Sequence, residues 1–256
     1  MTREELRGLS TTIDTMMDLG RRDEAEQVMA TALQESAHDP AYHLFFQAEA
    51  AGYFEGDHRK RERLLAEGVR TAPEDAFMLR NMGVCHLLDE KLSRARRRFE
   101  EALRAEPRDA DTLRCLGLIC SMRGKESRAM EWYRQALAVK PDDNDAMRQM
   151  GVSYSKLGQD RDAIDWYRRA LECCDHDYDA MRQMGISFAM LGDYPTALTW
   201  LNLALTVNPG DLESKRNMKL VQRKQGGRDD AFGGALMTKV ARALTLAWRR
   251  FINRLG

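Results

Sequence analysis

The stretch ADTLRCLGLICSMRGKESRAMEWYRQALAVKPDD, residues 110–143, decides how the whole chain is read. Its first half spaces Leu113, Leu116, Ile119 and Cys120 by threes and fours or pairs them, which makes one apolar helix stripe. Gly124 takes a left-handed cap cheaply, and a second stripe follows through Ala129, Trp132, Tyr133, Ala136 and Leu137. Pro141 then stops the second helix, since it has no amide hydrogen to give. Adding 34 to Leu113, Leu116, Gly117, Cys120, Ala129, Tyr133 and Ala136 yields Met147, Met150, Gly151, Tyr154, Ala163, Tyr167 and Ala170. A further 34 yields Met181, Met184, Gly185, Phe188, Ala197, Leu201 and Ala204. A period of this length outranks any local motif, because each unit buries its apolar face only by stacking on its neighbours.

Toward the N-terminus, residues 76–109 keep the pattern with Leu79, Met82, Gly83, Ala95, Phe99, Ala102 and Pro107. Residues 42–75 keep Phe45, Ala48, Gly56, Leu65, Gly68 and Pro73 but lack the glycine after the first apolar pair, and residues 6–41 are looser still. Toward the C-terminus come 178–211 and an end helix at 212–225, where Lys215, Lys219 and Gln222 replace apolar residues and give the stack a solvated face. GGRDDAFGG, 226–234, reads as a flexible linker. Residues 235–255 read as a separate helix. At 100° per residue, Leu236, Val240, Leu244, Trp248 and Phe251 share one arc; Lys239, Arg242, Arg249 and Arg250 share the other. Strand-like alternation and hairpin turn signals are missing, so the expected class is all-α.

The pattern L/M-x2-L/M-G-x2-Y/F, then A-x3-Y/F and proline, at period 34, resembles the tetratricopeptide repeat family over residues 6–225. The resemblance implies a right-handed α-solenoid of antiparallel helix pairs, in about six repeats (6–41, 42–75, 76–109, 110–143, 144–177, 178–211), with the C-terminal amphipathic helix appended. Two departures are visible. The family's first large aromatic is Leu79, Leu113, Met147 or Met181, and Asp175 stands for a proline. Large apolar swaps at packed sites cost under about 1.5 kcal/mol, so neither departure threatens the fold.

Composition excludes several function classes. The 256 residues carry 40 basic and 40 acidic side chains, so bulk charge predicts no attraction to nucleic acid or anionic membrane. That balance hides an asymmetry: no acid follows Asp230, where Lys239, Arg242, Arg249, Arg250 and Arg254 lie. Five cysteines without a CxxC pair read as reduced thiols. The first residues lack a signal-peptide apolar core, and no apolar run reaches the ~18–20 residues of a membrane span, so the expected location is cytoplasmic. The histidines form no HExxH, and GxGxxG, P-loop and GxSxG motifs are missing. Cys173-Cys174-Asp175-His176-Asp177 is the densest group of metal-ligating types; it reads as an inter-repeat turn, because a four-ligand site draws on spaced segments. The expectation is a protein that is not an enzyme and uses no cofactor or metal.

Arginine recurs at one offset five times, as Arg80, Arg114, Arg148, Arg182 and Arg216, beside Asn81, Cys115, Gln149, Gln183 and Asn217. Val84, Leu118, Val152, Ile186 and Leu220 follow at a third offset. By the family resemblance these positions face the concave surface. They imply a groove for a protein or peptide segment that is acidic with apolar anchors, gripped by guanidinium forks and backbone-binding amides. Nearer the N-terminus the same offsets give Phe46, Tyr53 and Phe54, suited to apolar anchors. Asp111, Asp145, Asp179 and Glu213 precede four of the arginines by three residues, so pairing along the same helix competes with that role. The C-terminal helix, through Lys239, Arg242, Trp248, Arg249, Arg250 and Phe251, offers three alternatives: capping the array, contact with an anionic membrane surface, or docking to a partner or second copy. Nucleic acid is not an expected ligand, since acids flank the arginines and no aromatics interleave.

Overall fold

Helix follows helix from Arg3 onward in the computed structural model, which describes residues 1–229. The sequence-predicted linker from residue 230 and the basic segment 235–255 lie outside the described residues. Two units form, Met1–Ile119 and Cys120–Gly256. The first holds α1 (Arg3–Asp18), α2 (Arg22–Glu35), α3 (Pro40–Ala50), α4 (His58–Thr71), α5 (Ala76–Leu88), α6 (Leu92–Ala105) and most of α7 (Ala110–Met122). The second holds α8 (Glu126–Val139), α9 (Asn144–Lys156), α10 (Asp160–Cys173), α11 (Tyr178–Met190), α12 (Tyr194–Val207) and α13 (Leu212–Asp229). Odd-numbered helices open the hairpins and even-numbered ones close them. From α1 to α6 in the first unit and from α8 to α13 in the second, each helix packs on the next along the chain. Helix α13 continues past Gln225 through Gly226, so the linker expected to begin there is helical up to Asp229.

One geometric device explains the glycine of the repeat pattern. A Cβ on Gly151 of α9 would sit 2.4 Å from Cε1 of Tyr167 on α10, and one on Gly83 would sit 2.6 Å from Phe99. The ring of the second helix therefore lies directly on the backbone of the first. Both aromatic residues are fully buried, as are Ala163 and Ala95 one turn earlier. Such burial contributes about 1.5–3 kcal/mol per large side chain.

Each hairpin turn places one residue at positive φ: Gly20, Gly56, Gly124, Gly158 and Gly192, but Glu90 in the third repeat, at φ 57°. Aspartates start the first helices. Asp75, Asp143 and Asp177 accept from the amides of Met78, Ala146 and Ala180, satisfying donors that the helix leaves unpaired.

The second repeat departs from its neighbours. Its cap Asp39 lies 36 residues before Asp75, whereas Asp75 and Asp109 are 34 apart. The two extra residues are taken up by a π-helical turn, Ala51–Glu55, after α3.

Candidate functional site

The arginines at the repeated offset lie where one first helix meets the next. In the first unit, Nη1 of Arg80 on α5 donates to both oxygens of Asp109, each at 2.9 Å, and lies 3.4 Å from Asp111. In the second unit, Nε of Arg148 on α9 donates to Asp177 at 3.0 Å, and its Nη2 pairs with Asp145. Arg182 on α11 donates to Asp211 at 2.8 Å, pairs with Asp179 and lies 3.4 Å from Glu213. Burial pulls the Arg148 and Arg182 guanidiniums down in pKa, but the carboxylates around them outweigh it and hold both above the ordinary arginine value. Arg114 pairs with Asp111 at 3.1 Å. Arg216 is exposed and has no ion-pair partner among the described residues.

Arg80, Arg148 and Arg182 thus hold the aspartate at the start of the next first helix. That aspartate lies 29 residues later in each case, close-set with its guanidinium and 8–9% exposed. Sequence reasoning weighed the nearer acids, three residues earlier, and missed these longer pairs. The signal was available: Asp75, Asp109, Asp143, Asp177 and Asp211 repeat at 34 and stand five residues before each arginine.

At the second repeat no arginine reaches Asp75 from the preceding first helix. Arg3 and Arg7 reach it from α1 instead, Arg3 at 2.8 Å, and Arg3 also holds Asp39 at 2.7 Å. Arg7 donates to the Tyr42 hydroxyl at 2.8 Å.

Counting back from the left-handed turn, Glu49 stands at the place of Gly83 and Arg61 at the place of Ala95. These two form a buried ion pair at 2.9 Å. Burial pushes the Glu49 carboxyl above the ordinary range, against the pull of Arg61. The Tyr53 hydroxyl donates to Asp14 at 2.6 Å, and the Arg22 guanidinium lies over the Phe54 ring at 5.4 Å. Phe46, expected among the partner-binding aromatics, is fully buried and packs edge-on against Phe45 at 5.1 Å, so it is a core residue. The offset failed there because the extra pair of residues shifts the register inside α3.

In the second unit the residues beside the arginines stay at the surface. Gln149, Gln183 and Asn217 are half-buried and make no side-chain hydrogen bond among the described residues; Asn81 in the first unit donates to the Phe77 carbonyl at 2.8 Å. Val152 and Ile186 are half-exposed, and Met190 and Leu220 are 67% and 54% exposed.

A second polar tier went unanticipated. Glu126, 7% exposed, accepts from Ser121 at 3.2 Å and Ser153 at 2.9 Å and pairs with Lys156 at 3.2 Å. Ser155 and Asp160 repeat the contact one period later at 2.9 Å. At the Cys173–Asp177 turn, Cys174 Sγ lies 3.6 Å from His176 Nε2, and burial raises both thiols rather than activating them. Among the described residues no group of three metal-ligating side chains could hold an ion, and no helix is long and apolar enough to cross a membrane. Lys239, Arg242, Trp248, Arg249, Arg250 and Phe251 lie outside the described residues.

Helical hairpins repeating every 34 residues, with Phe99, Tyr167 and Leu201 laid on Gly83, Gly151 and Gly185 of the preceding helices, define an all-α repeat array. Residues 86–145 and 133–178 match the tetratricopeptide repeat family model, which supports a tetratricopeptide repeat protein. No curated protein matches it in sequence. Among solved structures it is similar to the Cut9–Hcn1 hetero-tetramer of the APC/C, at 16% identity and TM-score 0.67, over 85% of this chain and 46% of that one. It is similar to TTC0263, a tetratricopeptide repeat protein of Thermus thermophilus, at 17% identity and TM-score 0.63, over 72% and 99%. YrrB, described as a tetratricopeptide repeat protein with an unusual peptide-binding site, matches at 19% identity and TM-score 0.51, over 75% and 97%. The fold is one of protein–protein interaction scaffolds.

Proposed function

We propose that the chain is a non-enzymatic scaffold and that the first-helix face of its second unit holds a segment of a partner protein. The observation that carries this reading is the row of surface amides and apolar side chains repeated on α9, α11 and α13, which internal packing covers only in part. Gln149, Gln183 and Asn217 supply paired donors and acceptors for a peptide backbone, and Val152, Ile186 and Leu220 supply a floor for apolar anchors. The peptide-binding site named for YrrB supports a groove of this kind. An acidic anchor finds its best partner in Arg216, whereas Arg80, Arg148 and Arg182 offer the partner only donors left over from their own carboxylates.

Capture of partners from the native cell by the tagged protein tests the reading. The double substitution Val152→Glu/Ile186→Glu, at half-exposed sites, is expected to abolish capture while the helical circular-dichroism signal stays within a few per cent of wild type. Unchanged capture would remove this face from the function.

A further inference from the structure

The last two helices, α12 and α13, are charged unlike the rest of the second unit. At the places of Asp162, Asp165, Arg168, Arg169 and Glu172 on α10, α12 carries Thr196, Thr199, Asn202, Leu203 and Thr206, and it holds no charged residue. Helix α13, which packs on α12, carries Lys215, Arg216, Lys219, Arg223 and Lys224. All five are exposed, and none of their side chains has a partner among the described residues.

The nearest acids are already engaged. Asp211 and Glu213 lie 2.8 and 3.4 Å from Arg182, which also pairs with Asp179, so the surplus negative charge stays at the N-terminal turn of α13. From Ser214 to Gly226 no acid occurs, and Lys219 lies about 9 Å along the axis from Glu213, roughly a Debye length at physiological salt. After Asp229 and Asp230 the sequence adds five cations and no acidic side chain.

The cations are also gathered on one side. Lys215, Lys219, Arg223 and Arg216 fall within an arc of about 100°, with Leu212 among them. That arc lies opposite Ser214 and Val221, which are 0 and 5% exposed. Leu212 is 64% exposed, and Leu220, at the edge of the arc, 54%. Lys219 stands 34 residues after Gly185, the place where α12 lays Leu201 on α11. An ammonium chain there keeps the arc from receiving a second helix of the same kind, since burial would strip its water without a partner.

We propose that this arc of α13 lies on an anionic phospholipid surface. Its ammonium and guanidinium groups meet headgroup phosphates and carboxylates, and Leu212 enters the interface between them. The leucines favour a bilayer over a nucleic acid, which binds through stacking on aromatic side chains; the arc carries none. A projecting ridge suits a plane, whereas a peptide segment docks in a groove or on a sheet edge. The inference does not rest on the proposed function, because Lys215, Lys219 and Arg223 stand outside the row of amides and apolar side chains.

Co-sedimentation of the full chain with phosphatidylcholine vesicles, with and without phosphatidylserine, tests the proposal. Binding is expected only when phosphatidylserine is present and should weaken as salt rises. The triple substitution Lys215→Glu/Lys219→Glu/Arg223→Glu, at exposed sites, is expected to keep the helical circular-dichroism signal and to lower the partition coefficient at least tenfold. The milder Lys215→Gln/Lys219→Gln/Arg223→Gln variant should fall between it and wild type. Absence of binding at low salt would overturn the proposal. So would a glutamate variant that binds like wild type while Arg242→Glu/Arg249→Glu/Arg250→Glu loses binding, which would assign the contact to the residues after Asp230. Retention of a labelled single-stranded RNA under conditions that leave the vesicles unbound would assign the arc to nucleic acid and overturn it as well. None of these readouts involves a protein partner, so their failure leaves the scaffold reading standing, and loss of capture in the Val152/Ile186 variant leaves the lipid contact standing.

Discussion

The fifth repeat lays Tyr167 on Gly151, whereas the second repeat has Glu49 at the place of that glycine and buries it against Arg61, which stands at the place of Ala163. Both arrangements join a first helix to its second. One uses a missing side chain to let backbone and ring touch; the other fills the gap with two charges and lengthens the helix by two residues through a π turn. Close packing gains dispersion and removes apolar surface from water, at the cost of a buried Tyr167 hydroxyl that has no hydrogen-bond partner among the described residues. A buried ion pair must first recover the hydration it gave up, and Nε of Arg61 recovers nothing, having no hydrogen-bond partner. A repeat period can therefore be kept in outline while the interaction inside it changes kind.

Breaking the pair in the second repeat should have the largest effect. Arg61→Met leaves Glu49 buried and unpaired and is expected to lower unfolding free energy by about 3–5 kcal/mol in urea titrations. Glu49→Met/Arg61→Met together should recover most of that loss; if the double variant is as weak as the single one, the charges are not what the region lacks. Titration sharpens the same point. The folded Glu49 carboxyl is raised by burial, so its contribution is full below the ordinary value of 4.5 and is lost as pH rises through the folded value. The stability advantage of wild type over Glu49→Gln should accordingly shrink as pH climbs above 4.5, and a widening gap would contradict the burial.

The arginine row comes next in size. Arg182→Met removes the hold on Asp211 and should cost about 1.5–3 kcal/mol, the range for hydrogen bonds to charged groups. Arg216→Met, with no carboxylate partner among the described residues, should stay within about 0.5 kcal/mol. Equal urea midpoints for the two variants would return the row to a purely external role.

The smallest effect concerns the turns. Glu90 stands at φ 57°, where the other hairpin turns place glycine. Glu90→Gly should stabilise by about 1 kcal/mol, the steric relief exceeding the added freedom of the unfolded chain. A lower thermal midpoint would show that the Glu90 side chain contributes something the turn geometry does not reveal.

Much of the architecture was legible because its causes are local or periodic. Apolar spacing, the glycine at most turns and the proline after most second helices are properties of the chain itself, so the repeats from 76 to 211 could be bounded by counting. Counting failed at Phe46, since a two-residue insertion is invisible to an offset and becomes plain only when caps and turns are both located. The candidate face was half legible. Its amides and apolar residues lie at least partly at the surface of the second unit, but the occupation of its arginines depends on aspartates 29 residues away.

The sequence by itself determined that this chain is a helical repeat array, because a 34-residue period of small and large apolar residues has one way to be buried, against its own copies. Only the tertiary structure decided what the arginines do. A guanidinium chooses among carboxylates by distance, and stacking the repeats brings the start of the next helix to 2.9 Å from Arg80 and 2.8 Å from Arg182.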